Sequence, residues 1–429
     1  MNLPLSAKIK DNGTLEIGGC DAAELAAEFG TPLYVIDELT VAKKCRLYTD
    51  ALKKHYPDSL AIFASKAFCV SGILKLVHEQ GLGIDVSTSG ELYTALKASC
   101  DMEKLFFHGN NKSVSEIAFG IKSGVGTFIA DNTDEIGMIS QEAARQGKEV
   151  RVMLRINPGV EAHTHDFIRT GMTDSKFGIP KEEALKAVTL LKSLKGLEFA
   201  GLHSHIGSQI FEKQSFCAEI DVLAELASQI KKSLGLDCAG LDLGGGIGIR
   251  YTSQDEDPSI EDFVECMAAR IKDNCRRHKL KEPHLILEPG RSIIAEAGVT
   301  LYEAGAVKEI PGIRKYVLVD GGMADNPRPI LYQAKYEALV ANKAGQKPQE
   351  KYTIAGKACE SGDILIKDIK LPRIERGDII AVLCTGAYNY SMASNYNRLI
   401  RPAVIGVKDG RPRLIVRRES NEDLVRNDL

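Results

Sequence analysis

The sequence predicts an α/β fold in which a (β/α)8 TIM-type barrel is joined to a second, mostly β domain of the sandwich or barrel kind. Two observations support this prediction. Short β-type segments alternate with longer amphipathic segments from about residue 59 to residue 290, and eight consecutive units favour closure of a parallel sheet into a barrel. After residue 290 the segments are short, rich in β-branched residues and separated by turn residues, which is typical of an all-β domain.

Eight segments have the length and composition of barrel strands, and the segments between them carry apolar residues at helical spacing. We predict strands at 59–65, 83–87, 105–108, 126–130, 150–156, 199–205, 241–243 and 284–287. The clearest helices are predicted at 89–98, 133–146, 181–194, 215–233 and 260–278. Parallel strands need a crossover between them, and a helix of this length can supply one.

The remainder of the chain is expected to be β-rich. Strands are predicted at 300–307, 315–320, 351–355, 378–384 and 403–407, with a hairpin turn at 408–411. The first 35 residues also contain strand-like segments, at 15–17 and 33–36. We therefore expect a barrel domain at 36–285 and a β domain built from 1–35 and 286–429.

Composition limits the classes of partner. The 429 residues carry a net charge of −3, with Lys+Arg 55 against Asp+Glu 58, so the basic excess typical of nucleic-acid or anionic-membrane binding is missing. Neither a secretory signal nor an uninterrupted apolar run of about 18 residues is recognisable. Ten cysteines are scattered without a Cys-x-x-Cys pair, which predicts reduced thiols and a cytoplasmic protein.

Reactive or conformationally permissive residues end seven of the eight predicted barrel strands. In barrels of this kind, functional side chains collect at the C-terminal ends of the strands. The residues are Lys66, Asp85, His108, Arg155 with Asn157, His203 with His205, Gly244 with Gly245 and Gly246, and Glu288. Their convergence at one end of the barrel predicts an active site there.

Lys66 ends the first strand, and we expect it to be buried there. A desolvated ammonium has a lowered pKa and becomes a nucleophilic amine, which is what Schiff-base chemistry with an aldehyde cofactor requires. For an isolated lysine the alternative is a solvated charge at the end of a strand. The residues at the other strand ends favour the nucleophile.

The glycines at 244–246 follow the seventh strand, where backbone N–H groups without side chains can approach an anion. Barrel enzymes commonly bind phosphate at this place, although a glycine triplet is also compatible with a flexible turn. Glu288 ends the eighth strand and is followed by Pro289, Gly290 and Arg291. Gly290 and Arg291 are placed to add donors to the same phosphate.

Glu288 has the chemistry to face a pyridine nitrogen, because a carboxylate stabilises the protonated ring and strengthens it as an electron sink. His205 is placed to stack on such a ring, and His203 lies on the same face of its strand. A buried core histidine is the alternative for both, more so for His203. With Lys66 and the glycines, these residues specify pyridoxal 5'-phosphate.

These motifs resemble those of the fold-type III pyridoxal-dependent decarboxylases, which join an alanine-racemase-like barrel to a C-terminal β domain. The resemblance rests on residues 63–67 (FASKA), 203–209 (HSHIGSQ), 244–246 (GGG) and 288–291 (EPGR). Within that group, similarity to the diaminopimelate decarboxylases rests on residues 328–332 (RPILY), 359–363 (CESGD), 386–388 (GAY) and 391–397 (SMASNYN). The match covers nearly the full chain.

The resemblance implies a role for each residue of the site. Lys66 would bind the cofactor covalently, and Cys359 would return a proton to the α-carbon after carbon dioxide leaves, although in isolation it is also compatible with a buried structural cysteine. The cofactor site would consist of Lys66, Asp85, His205, Ser208, Gly244, Gly245, Gly246, Glu288, Pro289, Gly290, Arg291 and Tyr388. The substrate site would consist of Arg291, Arg328, Tyr332, Glu360 and Tyr388. No metal is implied.

The implied reaction is the decarboxylation of meso-2,6-diaminopimelate to L-lysine and carbon dioxide, the last step of lysine biosynthesis. Such a substrate needs guanidinium forks for carboxylates and an acid, here Glu360, for the distal ammonium. In relatives the segment that bears Cys359 comes from the partner subunit. The resemblance therefore implies a homodimer with shared active sites, in which the β domain carries substrate and dimer contacts.

Three alternatives remain at this point. A decarboxylase of the same fold that acts on ornithine, arginine or carboxynorspermidine would leave Arg328 without a carboxylate partner. A racemase of this fold places an arginine opposite the pyridine nitrogen, where this chain has Glu288. A non-catalytic phosphopyridoxal carrier would need neither the second domain nor the Cys359 motif.

Overall fold

The computed structural model describes residues 1–160 and 175–429, which divide into two compact units. The barrel unit comprises Cys45–Gly248 and Pro258–Gly290. The β unit comprises Met1–Lys44, Ile249–Asp257 and Arg291–Leu429. In the part of the chain that is described, no helix is both long enough and apolar enough to span a membrane.

Eight parallel strands close into a barrel, because the last strand pairs with the first. The strands are Ser59–Ala64, Gly83–Val86, Leu105–Phe107, Thr127–Ala130, Val150–Asn157, Leu197–His203, Gly240–Asp242 and His284–Leu287. Each lies within about two residues of its predicted ends, and the predicted fold class is confirmed. A short strand, Ile179–Pro180, pairs with Val150–Asn157 as well.

The helices of the barrel unit follow the predicted alternation. They are Ser71–Glu79, Ser89–Lys97, Val114–Ser123, Thr133–Gln146, Ala184–Ser193, Lys213–Leu234 and Ile260–His278. The helix Glu38–His55 spans the first boundary between the two units, after Lys44. Local signals set their ends: Ser113 and Glu116 form a capping box, and Thr133–Gln146 begins after Asn132 and ends at Gly147 with φ 62°. The segment predicted from 181 opens as the 3-10 turn Lys181–Glu183, which has no side-chain cap, and continues as the helix Ala184–Ser193.

The interior of the barrel is a packed core. Buried side chains from five different strands meet there, namely Ile62, Phe106, Ile129, Met153 and Ile286. Leu60 and Ala200 pack against this cluster. Burial of each large apolar side chain contributes about 1.5–3 kcal/mol, so the core holds the strand ends in fixed positions.

The β unit contains two sheets. A three-stranded sheet is formed by Lys8–Ile9, Leu15–Ile17 and Cys20–Asp21. In the larger sheet the strands lie side by side in the order Ile364–Leu371, Glu350–Ala355, Arg314–Val319, Gly298–Ile310, Leu33–Asp37, Ala403–Lys408 and Arg411–Val416, with Ile379–Val382 between Gly298–Ile310 and Ala338–Val340. Short helices are Ala22–Phe29, Arg291–Ile294, Arg328–Tyr332 and Asn421–Val425.

Two connections in this unit were visible in the sequence. Asp409 and Gly410 have positive φ values of 51° and 72°, as a two-residue hairpin requires, and they join the antiparallel strands Ala403–Lys408 and Arg411–Val416. Leu33–Asp37 pairs with Gly298–Ile310 on one side and with Ala403–Lys408 on the other. The N-terminal residues therefore complete a sheet made mostly by the C-terminal part of the chain.

Candidate active site

Lys66 lies at the rim of the barrel. Its strand ends at Ala64, and the lysine sits in the 3-10 turn Ser65–Ala67. The side chain is 45% exposed, with Nζ 3.7 Å from Oδ2 of the buried Asp85. The expectation of a buried lysine is wrong, because the chain turns after Ala64 and carries the side chain to the rim instead of into the core.

The glycine triplet is required by packing. A Cβ on Gly245 would lie 2.1 Å from the backbone oxygen of Glu288, and a Cβ on Gly244 would lie 2.6 Å from Nδ1 of His205. Gly244 also has a φ of 62°. This close backbone approach rules out the flexible-turn interpretation and leaves a loop into which only glycines fit.

Backbone hydrogen bonds tie the loops of the site to one another. They run from Ile210 N to Gly246 O (2.9 Å), from Glu288 N to Gly244 O (2.7 Å) and from Ala64 N to Pro289 O (3.1 Å). The half-buried Ser208 lies in the loop that Ile210 closes. These hydrogen bonds thus connect the end of the first strand and the loops after the sixth, seventh and eighth strands.

The same loop fixes the protonation of His205. The N–H of Gly245 donates to Nδ1 of His205 over 3.3 Å, so the ring carries its proton on the other nitrogen. Burial lowers the pKa of His205 well below its ordinary value, and the charge of Lys66 adds to the shift. The ring is therefore neutral at neutral pH, as a stacking partner for a heterocycle should be.

Four buried polar residues line the barrel interior next to these loops. Nε2 of His108 lies 2.8 Å from Oε1 of Glu288, and Nε2 of His203 lies 3.6 Å from the same oxygen. Asp242 accepts from the N–H of Gly244 over 2.9 Å. One potential metal-ligand atom from each of His108, His203, Asp242 and Glu288 lies within 4.8 Å of the others. This spacing is also compatible with a bound metal ion.

The two acids of this group differ in charge. Burial raises the pKa of both, but His108 and His203 favour the charged form of Glu288. The pKa of Glu288 therefore lies well below its usual range, and that of Asp242 lies well above it. Burial lowers the pKa of His203 to about 4, which keeps this ring neutral.

Glu288 fits the role of a partner for a protonated pyridine nitrogen. Its Oε1 is buried and, among the residues described, makes no hydrogen bond of good geometry. A buried anionic oxygen without a donor is costly unless a ligand supplies one. Lys66, the glycine loop and this oxygen together suit pyridoxal phosphate better than a metal ion.

In the β unit, two predicted substrate residues are brought together by a residue that was not predicted. Nη1 of Arg291 donates to the hydroxyl oxygen of Tyr251 over 2.7 Å, and Nη1 of Arg328 donates to the same oxygen over 2.8 Å. The Arg291 guanidinium also lies 4.9 Å from the centre of the Tyr388 ring. Tyr332 ends the short helix that Arg328 begins.

Cys359 and Glu360 lie on a different loop of the β unit, and both are exposed. The interpretation of Cys359 as a buried structural cysteine is therefore wrong. The loop is well anchored, because Asp363 accepts from the N–H groups of Met323 (2.7 Å) and Ala358 (2.9 Å). The N–H of Cys359 in turn donates to Oδ1 of Asn397 over 2.7 Å.

No role was predicted for four residues that the structure places at these sites: His108, Glu219, Asp242 and Tyr251. His108 was among the predicted strand-end residues, and Asp242 also ends a strand, so its position could have marked it. Glu219 accepts a hydrogen bond from Ser204, which lies between the two histidines of its strand end, and nothing in the helical sequence around it signals this. No local sequence pattern around Tyr251 indicates its hydrogen bonds with Arg291 and Arg328.

Known proteins are similar to this chain over nearly its full length. A family model described as "Pyridoxal-dependent decarboxylase, pyridoxal binding domain" matches residues 40–295. The diaminopimelate decarboxylase of Bacillus subtilis is 44% identical over 426 residues, which cover 99% of this chain and 97% of that protein. The chain belongs to the diaminopimelate decarboxylase family.

Other relatives agree with this assignment. The diaminopimelate decarboxylase of Synechocystis sp. is 45% identical over 99% of this chain and 92% of its own length. The crystal structure of M. jannaschii diaminopimelate decarboxylase in complex with L-lysine has a TM-score of 0.91 and 34% identity, covering 99% of this chain and 98% of that one. The predicted family, enzyme class and pyridoxal phosphate cofactor are confirmed.

Proposed function

We propose that this protein removes the carboxylate at the D-centre of meso-2,6-diaminopimelate as carbon dioxide and leaves L-lysine. The observation that carries the proposal is the 44% identity over 99% of the chain with a diaminopimelate decarboxylase. The charge pattern of the site supports it, because two arginines meet at one tyrosine and an exposed acid, Glu360, lies on a separate loop.

The barrel unit would supply the cofactor site. Pyridoxal phosphate, when bound, supplies an electron-withdrawing ring that accepts the electron pair left by the departing carbon dioxide. Lys66 would hold the cofactor and exchange it for the substrate amine, the N–H groups of the glycine loop would hold the phosphate, and the charged Glu288 would keep the ring nitrogen protonated. Asp85, 3.7 Å from the amine of Lys66, would keep that amine oriented.

The β unit would supply the substrate residues. Arg291, Arg328 and Tyr332 would bind the carboxylate that is retained, and Glu360 would bind the distal ammonium. Cys359 would donate the proton that replaces the lost carboxylate. Tyr388 would order the Arg291 guanidinium, over which its ring lies.

We propose that two copies of the chain form a homodimer in which each Cys359 loop completes the site of the other copy. The exposure of Cys359 and Glu360 on an anchored loop supports this arrangement, because a proton donor needs a desolvated neighbourhood that an exposed loop gains only from a partner. We also propose a cytoplasmic protein without nucleic-acid or metal partners. Its near-neutral charge and free cysteines support that view.

Release of carbon dioxide measured with a panel of amino acids tests the function. We expect release from meso-diaminopimelate, with L-lysine as the product, and little release from L,L-diaminopimelate, ornithine or arginine. Faster release from ornithine or arginine than from meso-diaminopimelate would overturn the proposal. The same preparation should show the absorbance of bound pyridoxal phosphate, which borohydride should fix to Lys66.

A further inference from the structure

The hydroxyl oxygen of Tyr251 is shared by two cations. Arg291 and Arg328 each donate one N–H to it, over 2.7 and 2.8 Å, and both arginines are buried. A phenol oxygen has two lone pairs, so one hydroxyl can accept both bonds. The face of the Tyr251 ring also lies under the guanidinium of Arg328, 5.2 Å from ring centre to Cζ.

Two like charges held this close repel each other unless an anion lies near. Within residues 1–160 and 175–429, no carboxylate forms an ion pair with Arg328, and its hydrogen bonds go to the phenols of Tyr251 and Tyr336. Tyr336 in turn donates to Asn389 over 3.2 Å. Arg328 is therefore ordered by neutral partners, which leaves its charge for a ligand.

The hydroxyl hydrogen of Tyr251 adds to this arrangement. Among the residues described, no acceptor lies within hydrogen-bonding distance of it, since both hydrogen bonds of this hydroxyl are accepted ones. A buried O–H without an acceptor is costly, and a ligand oxygen would remove that cost. Two cations and one O–H around a single point match the two oxygens of a carboxylate.

We propose that Tyr251 is a positioning residue that holds Arg291 and Arg328 together as a clamp for the substrate carboxylate that survives in the product. This inference rests on the proposed function. It assigns carboxylate selectivity to the shared hydroxyl, in addition to the two arginines. Without that hydroxyl the two guanidinium groups would lose the one acceptor that they share.

The test compares two ligands in the Tyr251→Phe variant of the holoenzyme. L-lysine carries the retained carboxylate, and cadaverine is the same molecule without it. We expect the affinity for L-lysine, measured by calorimetry, to fall about tenfold or more, as loss of hydrogen bonds to charged groups predicts, with the affinity for cadaverine unchanged. KM for meso-diaminopimelate should rise by a similar factor while kcat changes by less than about threefold.

Two further variants separate positioning from general damage. Tyr336→Phe removes a hydroxyl that is bonded to Arg328 and not to Arg291, so its loss of L-lysine affinity should be smaller. Tyr251→His restores an acceptor nitrogen and should recover part of the lost affinity. The absorbance of bound cofactor and the Tm of each variant show whether the fold and the cofactor site are intact.

The clamp is overturned if Tyr251→Phe leaves the ratio of L-lysine to cadaverine affinity unchanged, or weakens both ligands equally. Failure of the proposed function looks different. In that case the unaltered protein would release no carbon dioxide from meso-diaminopimelate, whatever residue stands at position 251.

Discussion

At the scale of single residues, burial acts on three acids of the barrel unit with different results. Glu288 stays charged because His108 and His203 face it, whereas Asp242 has a pKa well above its usual range. Among residues 1–160 and 175–429 no cation lies beside Glu219, and burial raises its pKa to about 8. The charge of each acid thus follows from its neighbours, and only Glu288 is an anion that a protonated ring can use.

Glu219 should make the stability of the protein depend on pH. Its pKa is raised from 4.5 to about 8, so between these values the folded state binds one more proton than the unfolded state. Stability is therefore greatest below about pH 4.5 for this group, falls by at most about 1.4 kcal/mol per pH unit, and levels off above about pH 8. Glu219→Gln should remove this decline, seen as a Tm that rises relative to wild type between about pH 5 and 8. Parallel curves would contradict the assignment.

Cys359 should matter for turnover and not for cofactor binding. Cys359→Ala removes the proposed proton donor, and loss of such a group lowers kcat by about 100-fold or more. The absorbance of bound pyridoxal phosphate should stay unchanged. The matched control is Cys20→Ala in the same unit, which should turn over like wild type. Normal turnover in Cys359→Ala would refute the role of this thiol.

At the scale of elements, the glycine loop after Asp242 depends on the absence of side chains. In Gly245→Ala the new Cβ would lie 2.1 Å from the backbone oxygen of Glu288, so the two loops must move apart. We expect a loss of about 1–3 kcal/mol in stability and a cofactor affinity at least about tenfold weaker. Titration with pyridoxal phosphate, followed by absorbance, measures the affinity.

Gly137→Ala is the control for that substitution. Gly137 lies within the helix Thr133–Gln146, and an added Cβ meets nothing within 4 Å. The alanine should stabilise the helix by up to about 1 kcal/mol and leave cofactor binding unchanged. Equal cofactor affinity in the two variants would show that the glycine loop does not hold the phosphate.

The elements were predictable because most barrel strands are buried on both faces and appear as short apolar runs between amphipathic helices. The strand Ile364–Leu371 was not predicted, since lysine and aspartate interrupt its apolar residues. The burial of Lys66 was predicted wrongly, because the sequence does not show that its strand ends at Ala64. The 3-10 turn Ser65–Ala67 decided the exposure of the amine.

Much of the site could be located from the sequence, because barrel topology brings strand ends together whatever their spacing along the chain. The proton distribution between Asp242 and Glu288 could not, since it depends on the distance between two loops. Tyr251 was also out of reach. It lies in Ile249–Asp257, a segment of the β unit that interrupts the barrel unit between Gly248 and Pro258. No local sequence pattern marks this interruption.

At the scale of the whole molecule, Lys66 and Cys359 belong to different units, and the proposed homodimer places them in one site from two chains. Mixing Lys66→Ala with Cys359→Ala, each with little activity alone, therefore tests the assembly. Random exchange of subunits makes half of the dimers mixed, and each mixed dimer has one site with both residues intact and one with neither. Activity should recover to about a quarter of that of wild type. If Cys359 served the site of its own chain, every site would lack one residue and the mixture would stay inactive.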